Sequence, residues 1–228
     1  MASLAVIFDL DGVLVDSYQA HYESWRRLAA EQGLDYSRAQ FAATFGRTSR
    51  DILAHHWPRP LTEEQVAAAD ERKEALYRQL IRRDFPVMIG ARELVRALHA
   101  ASFALAVGSS APPANVQVSL EGLGLKELFS AAVTGQDVTR GKPDPQVFLL
   151  AAQRLGVPPA GCAVVEDAPA GIEAARRAGM AAIALTGTAG REQLAAADLV
   201  VDRLDELNPP RIADLIRHPR PARRQRRE

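Results

Sequence analysis

The chain has 228 residues, 47% of them hydrophobic and 25% charged, with a formal net charge of zero. This is the profile of a soluble globular protein with one large domain, or with one domain carrying a smaller one. The zero net charge excludes a global basic field that would draw the chain to nucleic acid or a membrane surface, and the single cysteine, Cys162, excludes an intramolecular disulfide.

In chain order, "MASLAVIFDL" lacks a basic region and its apolar run is cut short by Asp9, so it does not read as a secretory signal. No apolar stretch approaches the length of a bilayer span, and a cytoplasmic location is expected. Leu4–Leu10 reads as a first strand ending in two acids, Asp9 and Asp11, with Gly12 directly after them. Residues from about 17 to 84 lack strand-like runs and are rich in helix formers. "YQAHYESWRRLAAEQG" reads as one helix closed by Gly33, and "TEEQVAAADERKEALYRQLIRR" as another, with Thr62 and Gln65 forming a capping box. "ARELVRALHAA" then sets Leu94, Leu98 and Ala101 on one helical face.

Strand-like runs return at Phe103–Gly108, Ala131–Thr134, Cys162–Val165, Ala181–Leu185 and Leu199–Val201. Between them, "DPQVFLLAAQRLG" has Asp144 as N-cap, Pro145 at the first helical position and Gly156 as the stop, and "APAGIEAARRAGM" runs from Pro169 to Gly179 in the same style. Cys162 reads as a small packed hydrophobe. The last twelve residues, "RHPRPARRQRRE", hold six arginines and one glutamate and nothing to bury, and are expected to be a disordered, solvated tail. Without that tail the rest of the chain carries a charge of −5, which argues further against a nucleic-acid platform.

Apolar strands alternating with helices imply a parallel sheet covered on both faces. The expected fold is α/β: a Rossmann-like core of helix-flanked parallel strands, with a small helical cap inserted after the first strand. Residues 1–15 and 86–216 form the core, 16–85 the cap and 217–228 the tail. Two chain crossings at one boundary make a hinge, so the insert is expected to act as a lid, and Asp16 reads as a hinge or helix-start residue. No exposed apolar stripe stands out, and a monomer is expected.

Ligands of open parallel sheets sit beyond the carboxyl ends of the strands. Collected there are Asp9 and Asp11, Ser109 and Ser110, Lys142 in "GQDVTRGKPDP", and Glu166 with Asp167. They converge if the sheet order brings their strands together. Four crowded acids require a shared cation, and hard oxygen donors with room for water suit Mg²⁺. A phosphate satisfies both halves of the set, one oxygen on the metal and others on Lys142 and Ser109. One carboxylate can then attack phosphorus and the second can donate and recover a proton.

The segments "DLDGVLVDS", "VGSSA", "GKPDPQVF" and "VVEDAPAGIEAARRAGM" resemble, in order, the four motifs of the haloacid dehalogenase superfamily, and the pattern is most similar to its β-phosphoglucomutase-like and sugar-phosphate phosphatase members. The resemblance extends to about Asp205 and includes a cap at the first insertion point. It implies Asp9 as the phosphoryl-accepting nucleophile and Asp11 as general acid/base with its backbone carbonyl on Mg²⁺. It implies Ser109 and Lys142 as holders of the phosphoryl group, Asp167 as a metal ligand, and Glu166 as a ligand or the orienter of a bound water. Gly12 would let the chain turn sharply after the acid pair. The resemblance also implies a substrate role in the cap for His21, which falls where relatives have a histidine near the hinge, and for Arg50 and Lys73, which match cap residues that face substrate in the mutase.

Each residue also has a plainer structural reading. Ser109 would serve as the N-cap of the helix in "PPANVQVSLEGL", His21 as a packed or solvated helix residue, and Arg50 and Lys73 as a solvent-facing charged surface. Trp25 reads as cap core, and His55 and His56 carry no metal spacing. Three functions follow: a Mg²⁺-dependent phosphatase of a small phosphorylated metabolite (a sugar phosphate or phosphoglycolate), a β-phosphoglucomutase-type isomerase, or a non-catalytic binding protein on the same fold. A mutase must hold a second phosphate with donors soon after the motif serine, whereas Ala111, Pro112 and Pro113 stand there. Hydrolysis is therefore the preferred reading.

Overall fold

A computed structural model describes residues 4–218. The chain divides into two compact units, one built from the chain up to Asp16 together with the chain from Val87 onward, the other from Ser17–Pro86.

The first unit contains β1 (Ala5–Phe8), α5 (Ala91–Ala100), β2 (Ala104–Gly108), α6 (Pro113–Leu123), β3 (Ala131–Val133), α7 (Gln146–Leu155), β4 (Cys162–Glu166), α8 (Pro169–Arg177), β5 (Ala181–Leu185), β6 (Leu199–Val201) and α9 (Pro209–Arg217). Its six strands form one parallel sheet in the order β3-β2-β1-β4-β5-β6. All four residues of β1 are buried, as a central strand covered on both faces requires. Phe8 pairs with Val107 on one side and Val165 on the other, so Asp9, Gly108 and Glu166 lie at one level of the carboxyl edge. The strand order reverses direction at β1 and β4, and this switch point is where doubly wound sheets open a crevice. Phe148, Val147, Ala151 and Ala152 of α7 and Ile172, Ala174 and Ala175 of α8 pack into the same core as Ile7 and Val164.

The strand-like runs of the sequence all appear, with the first one shorter than expected. Leu10 leaves β1 because its carbonyl accepts the N–H groups of Leu14 (2.9 Å) and Val15 (3.0 Å), closing a turn. Asp144 is not strictly the N-cap of α7, which begins at Gln146. Its Oδ1 nonetheless accepts the Gln146 N–H at 3.0 Å. Arg217, assigned from sequence to the tail, closes α9 instead. The remainder of the tail, 219–228, lies outside the described residues. No helix among the described residues is long and apolar enough to cross a membrane.

The second unit contains α1 (Tyr18–Glu31), α2 (Arg38–Thr44), α3 (Ser49–His56) and α4 (Glu63–Arg83). Trp25, Leu28, Phe41, Ile52, Leu53, Trp57 and Leu76 form its own core, and α1 packs along α4. The two short helices are set by their caps. Ser37 and Gln40 form a capping box, and Thr48 accepts the Asp51 N–H at 3.2 Å. The Thr62–Gln65 box starts α4. Within the first unit the two chain crossings are tied to each other: Val15 bridges Val87, and Met88 N–H donates to Leu14 carbonyl at 3.1 Å.

Ile7 is fully buried in the central strand. Ile7→Ala should lower unfolding stability by about 2–5 kcal/mol, the usual cost of a cavity in a close-packed core. A denaturant titration checks this, and an unchanged midpoint would contradict the packing described.

Candidate active site

Asp9 follows β1, and its N–H still donates to Val165 carbonyl at 2.9 Å, so the rigid sheet fixes its backbone. Its Oδ1 accepts from Lys142 Nζ at 2.7 Å, and the same ammonium lies 2.7 Å from Glu166 Oε1. The Phe148 ring centroid is 4.9 Å from Nζ. Glu166 closes β4, and its second oxygen accepts the N–H groups of Asp167 and Ala168, each at 2.7 Å. Asp9, Glu166 and Asp167 are buried, and each offers a carboxylate oxygen within 4.8 Å of the others.

Two glycines make this crowding feasible. A Cβ on Gly12 would fall 1.9 Å from Asp167 Oδ2, and one on Gly171 would fall 1.8 Å from Glu166 Oε1. Gly12 also has φ +76°, a conformation that favours glycine. Thr188, in the loop after β5, hydrogen-bonds Asp167.

The charge balance is uneven. Burial pushes Asp9 up to about 7, with Glu166 and Asp11 adding to the effect and Lys142 opposing it. Burial pushes Asp167 up to about 8, with the Glu166 and Asp9 carboxylates contributing further. Lys142 is held above its ordinary value because the two carboxylates outweigh its burial. One buried ammonium thus faces three buried carboxylates, and isolated buried charge is costly. The excess of negative charge on hard oxygen donors at this spacing fits a small divalent cation such as Mg²⁺.

The structure therefore joins Lys142 to Asp9 and Glu166 by direct contact and sets a carboxylate oxygen of Asp167 within 4.8 Å of theirs. Asp11 is half-buried in the turn after β1 and acts electrostatically on Asp9, but the cluster of potential side-chain ligands does not include it. Ser109 is buried at the end of β2, where its N–H donates to Val133 carbonyl at 3.0 Å. It is not the N-cap of α6, which begins at Pro113. Its hydroxyl instead accepts the Ala111 N–H at 3.1 Å in the preceding turn. Ser110 is exposed.

Within the helical unit, Lys73 is buried rather than solvent-facing. Its Nζ lies 2.9 Å from His21 Nδ1 and 2.7 Å from Glu74 Oε1. His21 stacks on Tyr77 with ring centroids 4.2 Å apart. Arg50 is exposed and grips Glu63 through both guanidinium arms, so it would have to leave that partner to hold a ligand. Trp25 lies in the core of the unit. Sequence reasoning missed Gly171 and Thr188. A glycine in the first turn of a helix, where it costs stability, was the one available signal for Gly171.

Residues 4–179 match the family model of haloacid dehalogenase-like hydrolases. The chain is 34% identical over 209 residues to validoxylamine A 7'-phosphate phosphatase of Streptomyces hygroscopicus subsp. limoneus, covering 90% of this chain and 96% of that protein. It is 36% identical over 179 residues to fructose-1-phosphate phosphatase YqaB of Escherichia coli K12, covering 78% and 94%. Among solved structures it is similar to β-phosphoglucomutase from Clostridium difficile, with a TM-score of 0.80, 28% identity and coverage of 94% and 97%.

Because folding raises both Asp9 and Asp167 above the ordinary 3.8, the folded chain binds more protons than the unfolded chain between about pH 4 and pH 8. Stability from these groups is full below that window and is lost as pH rises through it. Protein stripped of metal should therefore melt at a lower temperature at pH 8 than at pH 5, and Mg²⁺ at pH 8 should recover much of the difference. Melting scans with EDTA and with Mg²⁺ check this. A melting temperature indifferent to Mg²⁺ at pH 8 would count against a cation at this site.

Proposed function

The chain belongs to the haloacid dehalogenase-like hydrolases, and from that premise we propose that it is a Mg²⁺-dependent phosphatase of a small phosphorylated metabolite of the sugar-phosphate or phosphoglycolate type. The observation that carries this reading is the Lys142 ammonium seated between Asp9 and Glu166, at 2.7 Å from each, on the carboxyl edge of the sheet. The ammonium aims the Asp9 carboxylate and opposes the burial that favours its neutral form, while the cation remains available for the oxygens of an incoming phosphoryl group.

In this reading Asp9 is the nucleophile. One of its carboxylate oxygens forms a bond to phosphorus as the bond from phosphorus to the leaving oxygen breaks, giving an aspartyl-phosphate. Asp11 supplies the proton to the leaving oxygen, then takes one from the water that attacks phosphorus and releases phosphate from Asp9. Ser109 and Lys142 hold the phosphoryl oxygens. Asp9, Asp167 and Glu166, with the backbone carbonyl of Asp11, would hold Mg²⁺. When bound, the metal supplies positive charge that lets carboxylates and phosphate share one small volume. The helical unit, joined to the core by two crossings that are tied together at Val15–Val87, would serve as the lid that selects the leaving group.

A second reading, phosphoryl return to another hydroxyl as in β-phosphoglucomutase, draws on the contact between His21 and Lys73 and on the likeness to a mutase structure. Against it stand Ala111, Pro112 and Pro113, which offer no side-chain donors for a second phosphate.

Asp9→Asn should reduce phosphate release to less than a tenth of the wild-type rate, EDTA should silence the enzyme and Mg²⁺ should restore it. A phosphate-release screen over phosphorylated metabolites checks these outcomes, and substantial turnover by Asp9→Asn would sink the scheme. Incubation with β-glucose-1-phosphate and a trace of the 1,6-bisphosphate separates the two readings. Free phosphate is expected, and glucose-6-phosphate without free phosphate would reverse the preference.

A further inference from the structure

Lys142 stands in a long stretch, residues 134–145, that carries neither helix nor strand. A loop of this length has many conformations available, yet Lys142 Nζ lies 2.7 Å from two separate carboxylates. Two main-chain hydrogen bonds, Asp137 N–H to Thr134 carbonyl at 3.1 Å and Asp144 N–H to Gly141 carbonyl at 3.0 Å, narrow those conformations in part, and side chains do the rest. The start of the loop is held by Asp137, which accepts the Thr134 N–H at 2.8 Å and is gripped by Arg154 of α7. That tether lies five residues before the lysine.

Closer to Lys142, a single atom does the work. Oε1 of Gln146, the first residue of α7, accepts the N–H groups of Thr139 and Arg140, both at 3.0 Å, and the Thr139 hydroxyl at 3.3 Å. Asp144 closes the other side. It accepts the Gln146 N–H at 3.0 Å, pairs with Arg140 Nε at 3.0 Å, and its own N–H donates to Gly141 carbonyl at 3.0 Å. Residues 139–146 thus form a ring around Lys142. The ring is anchored to a helix whose Phe148 is fully buried and lies against the lysine ammonium.

We propose that Gln146 is a positioning residue for Lys142: by tying the Thr139 and Arg140 amides to the start of α7, it sets where the ammonium stands between Asp9 and Glu166. Gln146 itself acts only through the lysine. The consequence for catalysis rests on the phosphoryl-transfer reading above; the positioning does not. Thr139 and Arg140 are exposed, so water can satisfy their N–H groups when the side chain is removed. The loss is therefore one of order in the loop, and global stability is largely retained. The side-chain nitrogen of Gln146, Nε2, donates to none of the described residues, so a carboxylate of the same length would keep every contact of Oε1.

The test uses the full-length protein with Mg²⁺, p-nitrophenyl phosphate as substrate and orthovanadate as a phosphoryl mimic. Gln146→Ala should lower kcat/KM by about tenfold or more, as small misplacements of reacting groups do, and should weaken orthovanadate inhibition in parallel, with the melting temperature nearly unchanged. Gln146→Met, similar in length but without the acceptor, should behave alike, and Gln146→Glu should restore most of the loss. In a Lys142→Ala background, Gln146→Ala should add no further loss in orthovanadate affinity or residual turnover. Hydrogen exchange of the Thr139 and Arg140 amides should quicken in the Ala and Met variants and not in Glu.

Wild-type kinetics in Gln146→Ala, or an equal loss with and without Lys142, would overturn the positioning role. If the wild-type protein neither turns over p-nitrophenyl phosphate nor binds orthovanadate, the hydrolase reading fails by itself. Hydrogen exchange then decides the positioning alone: unchanged amide exchange in Gln146→Ala overturns it, and faster exchange confined to this segment supports it.

Discussion

The contact on which the rest of the site depends is the buried ammonium of Lys142 between two buried carboxylates. Neither Asp9 nor Glu166 tolerates burial as a lone charge, and Lys142 does not either. Together they are stable enough to be held at 2.7 Å, but the balance remains incomplete because Asp167 brings a third buried carboxylate to the one ammonium. A site left short of positive charge in this way is tuned for ligands that bring it, or that can share it. A divalent cation with a phosphate dianion is such a ligand pair, since each offsets the charge that makes the other costly to bury.

The sheet makes that contact geometrically reliable. Asp9 and Glu166 are supplied by adjacent central strands in parallel register, so their relative position is set by backbone hydrogen bonds rather than by side-chain conformation. Lys142 arrives differently, from an irregular segment with few main-chain hydrogen bonds, and side chains contribute much of what holds it. Gly12 and Gly171 contribute by leaving space, since any side chain there would occupy the volume of a carboxylate oxygen. Rigid strands, a braced loop and two deliberate voids produce one arrangement of charge.

Much of this was legible in the residues. The central strands are covered on both faces, so they read as continuous apolar runs, and their polar residues stand out at the carboxyl ends. The strand order was not legible, because nothing local in "CAVVED" says that it lies beside β1 rather than beside the preceding strand. α2 and α3 escaped notice for a different reason: at seven and eight residues they are too short to display a helical period, and only their caps mark them. Lys73 reads as a surface lysine because lysines are seldom buried. Its burial depends on Glu74, His21 and the rings of Trp25 and Tyr77, of which only Glu74 is its neighbour in sequence. Thr188 likewise meets Asp167 only through the fold.

The register of β1 also bears on how the molecule comes to be. Ala5 pairs with Ala104 and with Cys162, so the central strand is synthesised long before either neighbour exists. The helical unit, by contrast, is one uninterrupted segment with its own apolar core. During translation, a self-contained bundle can assemble while the strand that precedes it still lacks a sheet, its apolar residues unpaired until β2 emerges on one side and, much later, β4 on the other. The insertion that separates Asp9 from the rest of its cluster in sequence therefore also delays the core, and the strand that leads into Asp9 spends the longest time waiting for partners.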